Sequence, residues 1–112
     1  MKSNTENFGF VHVAAAVPKM RIGDIKFNLE EIKKIAKEAA ANNAATLTFP
    51  ELCLTGYTLG DLFHQELLLK NALLALKELQ VFSTDLNIII CIGLPIEVEN
   101  KLFNVAAVIY KG

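Results

Sequence analysis

The chain has 112 residues, 53% of them hydrophobic and 21% charged, a balance that describes one folded domain with a buried core and excludes a disordered segment. Its net charge is -1, from 11 Lys and Arg against 12 Asp and Glu, and the charges are scattered, so the basic patch of a nucleic-acid binder is missing. Met1 to Asn7 is polar and has no apolar centre, unlike a secretory leader, which predicts a cytoplasmic protein.

Phe8 to Val17 is almost wholly apolar, with Val11, Val13 and Val17 on one face and Phe10, His12, Ala14 and Ala16 on the other. This predicts a strand covered on both sides, ended by Pro18. From Ile25 the apolar residues Leu29, Ile32, Ala36, Ala39 and Ala40 recur at the three-and-four spacing of a helix with one buried stripe. Asp24, or Asn28 with Glu31 three residues on, is placed to cap its start, and Asn42-Asn43 to close it. Glu30 to Lys34 and Lys33 to Lys37 put charges on the opposite face. Thr46 to Phe49 is a short β-prone run stopped by Pro50, which has no N–H for a sheet ladder.

Leu52 to Gly60 has two glycines and no period, and reads as a loop of fixed shape. A second helix is expected from near Asp61 to about Phe82; Lys70, Asn71, Lys77 and Glu78 make it a poor membrane span and a better buried helix. Ile88 to Leu94 predicts a third strand apolar on both faces, Pro95 to Leu102 a hairpin connection, and Phe103 to Tyr110 a fourth strand. The order β-α-β-α-β-β is an α/β pattern whose first three strands are expected to be parallel, joined by right-handed crossovers. The sequence stops at Lys111-Gly112 directly after a strand, with no closing helix, which predicts a domain truncated at its C-terminal end. The excess of apolar residues predicts contact with another subunit or with a part of the protein not in this chain.

Ligands of open α/β sheets gather at the carboxyl ends of the strands. Glu51 lies two residues past Phe49 at such an end, among Phe49, Leu52, Leu54 and Tyr57. Apolar surroundings would suit a carboxylate that accepts a proton near neutral pH, the work of a general base; the plainer reading is a surface Glu after a strand. Cys53 and Cys91 sit in apolar runs without the spacing of a metal site, so they read as reduced, packed thiols and no metal is expected. His12 reads as a hydrogen-bonded core residue, and Asp61 and His64 as surface or capping groups. The spacing of Gly56 and Gly60 is unlike that of a phosphate-binding loop.

Phe49-Pro50-Glu51-Leu52 followed by Thr55-Gly56-Tyr57 resembles the first signature of the nitrilase, or carbon-nitrogen hydrolase, superfamily. Asp24, Asn28 and Glu38-Ala39-Ala40 also fit it, and the longer form through Leu59-Gly60-Asp61-Leu62-Phe63 resembles the branch that serves as the amino-terminal glutaminase domain of glutamine-dependent NAD synthetase. The likeness runs from about Phe8 to Gly112. It implies a four-layer α-β-β-α sandwich, of which this chain supplies the β-α-β-α-β-β portion, and a catalytic set of Glu, Lys and Cys. Glu51 matches the Glu, implied to take the proton of the nucleophilic thiol. Tyr57 matches a position where the ring lines the glutamine pocket, with simple packing as the alternative. The Lys and Cys are expected beyond Gly112, since Lys111 comes too early, and the 112-residue chain is expected to be inactive alone. The resemblance implies glutamine as substrate, with no cofactor in this chain. ATP, Mg²⁺ and deamido-NAD would serve the full enzyme, a homo-oligomer. A stand-alone amidase or nitrilase and a non-catalytic α/β interaction module are the other readings of the sequence.

Overall fold

The computed structural model describes residues 9–56 and 66–112. Its elements are β1 (Val13–Ala15), α1 (Ile25–Ala41), β2 (Thr46–Thr48), α2 (Glu66–Ser83), β3 (Ile89–Val98) and β4 (Lys101–Tyr110). The four strands form one sheet in the order β1-β2-β3-β4, with β1, β2 and β3 parallel and β4 antiparallel to β3. The expected α/β order is therefore present. The start expected for the second helix, from Asp61, lies outside the described residues.

Asp24 caps α1 by accepting from the backbone N–H of Phe27 at 3.1 Å, and Asn42 closes it through its backbone N–H and its side-chain amide, both directed at the Glu38 carbonyl. Asn43 then takes the left-handed conformation (φ 62°) that turns the chain toward β2. The buried stripe of α1, Ile25, Leu29, Ile32 and Ala36, shares one core with Ala72, Ala75 and Leu79 of α2, with the sheet residues Leu47, Ile90, Ile92, Leu94 and Ile109, and with Ile88 just before β3. Each fully buried aliphatic side chain in that layer contributes about 1.5–3 kcal/mol of transfer free energy.

The sheet departs from expectation in its second face. Both faces of the first and third strands were expected to be covered. Ala14, Leu47, Ile90 and Ile109 do point to the helices, but Val13, Ile89, Val108 and Tyr110, which alternate with them, are exposed, Val13 to 64% and Val108 to 69%. Among the described residues both helices lie on one side, so the chain forms one helix layer and one sheet layer. The first strand is also shorter than expected, three residues long, because only Val13 to Ala15 have partners on β2.

The hairpin connection lies within the expected Pro95 to Leu102 but is shorter. β3 runs through Pro95 to Val98, and the turn is the pair Glu99-Asn100, with φ of 51° and 63° and Val98 opposite Lys101. Two consecutive positive φ angles form the two-residue turn whose twist matches the strands. Pro95 is tolerated in β3 because it lies past Cys91, the last residue paired with β2, where the strand has become an edge. Among the described residues no helix is long and apolar enough to cross a membrane.

Candidate active site

Glu51 stands on a loop that folds back over β3. The Phe49 N–H donates to Cys91 O at 3.0 Å, extending the ladder by one step. Pro50 cannot continue it, and the chain turns upward. Leu52 adopts φ of 53°, and its carbonyl accepts from the N–H groups of Thr55 (3.3 Å) and Gly56 (2.8 Å), closing a compact turn. A left-handed Leu costs about 1–2 kcal/mol, which the burial of Leu52, Cys53 and Leu54 offsets.

The turn rests on Gly93. Leu54 N–H donates to Gly93 O at 3.2 Å, and the Cys53 thiol contacts the same oxygen at 3.8 Å. A Cβ on Gly93 would collide with the Leu52 nitrogen and lie 2.9 Å from Pro50 O. From the other side, Asn28 ties the loop to the residues before α1. Its Nδ2 donates to Leu54 O (3.0 Å) and Arg21 O (2.9 Å), while its Oδ1 accepts from Arg21 N–H (2.8 Å). Gly23 N–H adds a bond to Thr55 O at 2.7 Å. Asn28 is thus a buried clamp, while Asp24 is the cap.

Within this frame Glu51 is the one exposed residue between Phe49 and Gly56. Of the apolar neighbours expected around it, Phe49, Leu52 and Leu54 are buried in the core, and Tyr57 lies outside the described residues. Its partner is polar: Asn104 of β4 donates from Nδ2 to Glu51 Oε1 at 2.6 Å. The two flank a groove of about 310 Å³ lined also by Thr48, Cys91, Gly93 and Ala106. The groove lies on the face of the sheet opposite the helices.

Tyr57, Asp61 and His64 lie outside the described residues. Cys53 is fully buried, and burial pushes its thiol up from the ordinary range, which makes it an inert packing group. Cys91, expected in the core, is half-buried on the open face. His12, also expected in the core, is exposed, with its Nδ1 3.2 Å from Asn42 O. Lys111 is exposed, its ammonium over the Tyr110 ring at 5.7 Å from the centroid. Asn104 and Gly93 were missed by sequence reasoning. Each carried a weak signal, a polar residue within a Val- and Ile-rich strand and a glycine at the end of an Ile run.

The family model described as "Carbon-nitrogen hydrolase" matches residues 12–112. The chain is 33% identical over 109 residues to a glutamine-dependent NAD(+) synthetase of Mycobacterium leprae, covering 97% of this chain and 16% of that protein. It is 36% identical over 104 residues to the corresponding enzyme of Mycobacterium bovis, covering 93% and 15%. The chain therefore spans about a sixth of the length of these relatives. Its fold superposes on a glutamine-dependent NAD(+) synthetase from Cytophaga hutchinsonii with a TM-score of 0.81 at 27% identity, over 87% of this chain and 16% of that one. It superposes on an amidase from Nesterenkonia sp. with a TM-score of 0.71 at 24% identity, over 90% and 39%. A family match across all but the first eleven residues, on a sheet-and-helix layer shared with these enzymes, makes this chain a member of the carbon-nitrogen hydrolase family.

Proposed function

We propose that Glu51 is the general base of a glutamine-hydrolysing site, and that the protein carrying this chain is a glutamine-dependent NAD synthetase in which that site supplies ammonia. The observation that supports this most is the mounting of Glu51. It is a lone exposed carboxylate on an otherwise buried loop, at the carboxyl end of β2, beside an open groove. The curated relatives named above are glutamine-dependent NAD synthetases.

In this reading Glu51 takes the proton of a thiol, and the thiolate attacks the carbon of the glutamine side-chain amide. A lysine stabilises the oxyanion, the C–N bond breaks, and Glu51 returns its proton to the leaving nitrogen as ammonia. Water, giving a proton to the same carboxylate, then cleaves the thioester to glutamate and restores the thiol. In this reading the thiol and the lysine are supplied from outside this chain; in support, Cys53 is sealed in the core, Cys91 is half-buried within β3, and Lys111 lies at the far end of β4 from Asn104. Tyr57 contributes to the glutamine pocket. The amidation of deamido-NAD with ATP and Mg²⁺ belongs to another part of the protein. Among the described residues no three His, Cys, Asp or Glu side chains gather to hold a metal, and no step here runs through one. The exposed sheet face suits a homo-oligomer or the rest of the domain.

A stand-alone amidase is the second reading, favoured by the superposition on the Nesterenkonia enzyme. Product analysis separates the two. Given glutamine, ATP and deamido-NAD, the full-length protein forms glutamate and NAD together; release of ammonia from simple amides with no NAD formed would favour the amidase. The 112-residue chain by itself releases no ammonia from glutamine, and turnover there would contradict the assignment of the thiol and lysine to sequence outside it.

A further inference from the structure

Asparagine is a poor strand former, yet Asn104 sits inside β4, on the same face as Ala106, Val108 and Tyr110. Strand propensity and packing do not account for it there, and it is exposed. Its side chain has one notable contact, the 2.6 Å bond from Nδ2 to Glu51 Oε1, at the short end for a hydrogen bond to a carboxylate. Among the described residues no other side chain donates to Glu51.

We propose that Asn104 is the positioning residue of Glu51, holding Oε1 so that Oε2 is presented to the groove as the atom that receives the proton. This rests on the reading of Glu51 as base. Both ends of the bond are tied to β3: Asn104 pairs with Pro95 in a ladder of ten residue pairs, and the Glu51 loop is seated on Gly93, two residues away. A free glutamate on the surface samples many rotamers, and holding it in one costs conformational entropy. Here that ordering is done before substrate arrives. Asparagine is also neutral, so it orients the carboxylate without setting a cation beside it.

The test uses the full-length protein. Asn104→Ala lowers kcat for glutamine about ten- to hundredfold, with KM for glutamine and the rate with free ammonia unchanged. Asn104→Asp, nearly the same shape but lacking the donor and repelling Glu51, loses more, and Asn104→Gln, which keeps the amide one methylene further out, recovers part of the rate. Side-chain amide NMR gives an independent readout: the Asn104 NH₂ resonances of the wild type move on Glu51→Gln. An unchanged kcat in Asn104→Ala, or equal loss of the glutamine and ammonia reactions, would overturn the proposal. If instead Glu51→Gln moves the Asn104 resonances but leaves glutamine turnover intact, the contact is real and the base assignment is what fails.

Discussion

Gly93 lies directly beneath the Pro50-Glu51-Leu52 peptides, so close that a methyl group on its Cα would collide with the Leu52 nitrogen and sit 2.9 Å from the Pro50 carbonyl. The neighbour is backbone on a buried loop, so it can yield only by lifting the whole loop off β3. Gly93→Ala is expected to destabilise the fold by about 1–3 kcal/mol, the usual cost of overpacking. The lifted loop carries Glu51 away from Asn104, so glutamine turnover falls in the full-length protein while the ammonia reaction persists. Urea midpoints and paired steady-state assays check both parts.

Asn28 is 1% exposed and makes three hydrogen bonds that join Arg21 to Leu54. Asn28→Leu removes the partner of the Arg21 N–H and of the buried Leu54 carbonyl, and leaves the Arg21 carbonyl with the Asp24 N–H alone; a buried group left without its partner costs about 1–3 kcal/mol. The variant should be among the most destabilised single substitutions in the chain. Asn28→Asp keeps the acceptor for Arg21 N–H but turns a carboxylate toward two carbonyl oxygens, so it is strongly destabilised at pH 7 and partly recovers as the carboxyl is protonated. Denaturation midpoints at pH 7 and pH 4 measure this.

Cys53 gives a pH dependence of definite sign. Burial opposes its thiolate and pushes its pKa up, so the folded chain holds the thiol proton more tightly than the unfolded chain does. The associated stability is complete below the ordinary thiol range and is lost as pH rises from there through the folded-state value, at no more than about 1.4 kcal/mol per pH unit. Cys53→Ala should flatten the alkaline slope of stability against pH, whatever its effect at neutral pH. A thiol reagent at pH 7 should label Cys91, half-buried on the open sheet face, well before Cys53.

The parts legible in the sequence were those set by periodicity and by local stop signals. The α1 stripe from Ile25 to Ala40, the closure at Asn42-Asn43 and the parallel order of the first three strands all follow from spacing and breakers. The hairpin connection was drawn too long because Pro95 reads as a strand end. Only the loss of β2 as a neighbour past Cys91 makes it acceptable inside β3. That some apolar surface would be left over was read from composition, but not that it is the face of Val13, Ile89 and Val108: an apolar pattern shows that a face is to be covered, not whether the cover lies within the chain. At the site, the position of Glu51 after β2 was visible, but its environment was not. The side chains adjacent in sequence, Phe49, Leu52 and Leu54, turn inward, and its partner Asn104 arrives from 53 residues away. A hydrogen bond across that separation has no local signature.

The base role of Glu51 is tested most directly by the ratio of glutamine-dependent to ammonia-dependent NAD synthesis in full-length Glu51→Gln. Removing a general base costs about 10²–10⁴ in rate, so the glutamine reaction should fall by at least the lower figure while the ammonia reaction keeps its wild-type rate. A parallel fall in both, or glutamine turnover that survives the substitution, would contradict the account.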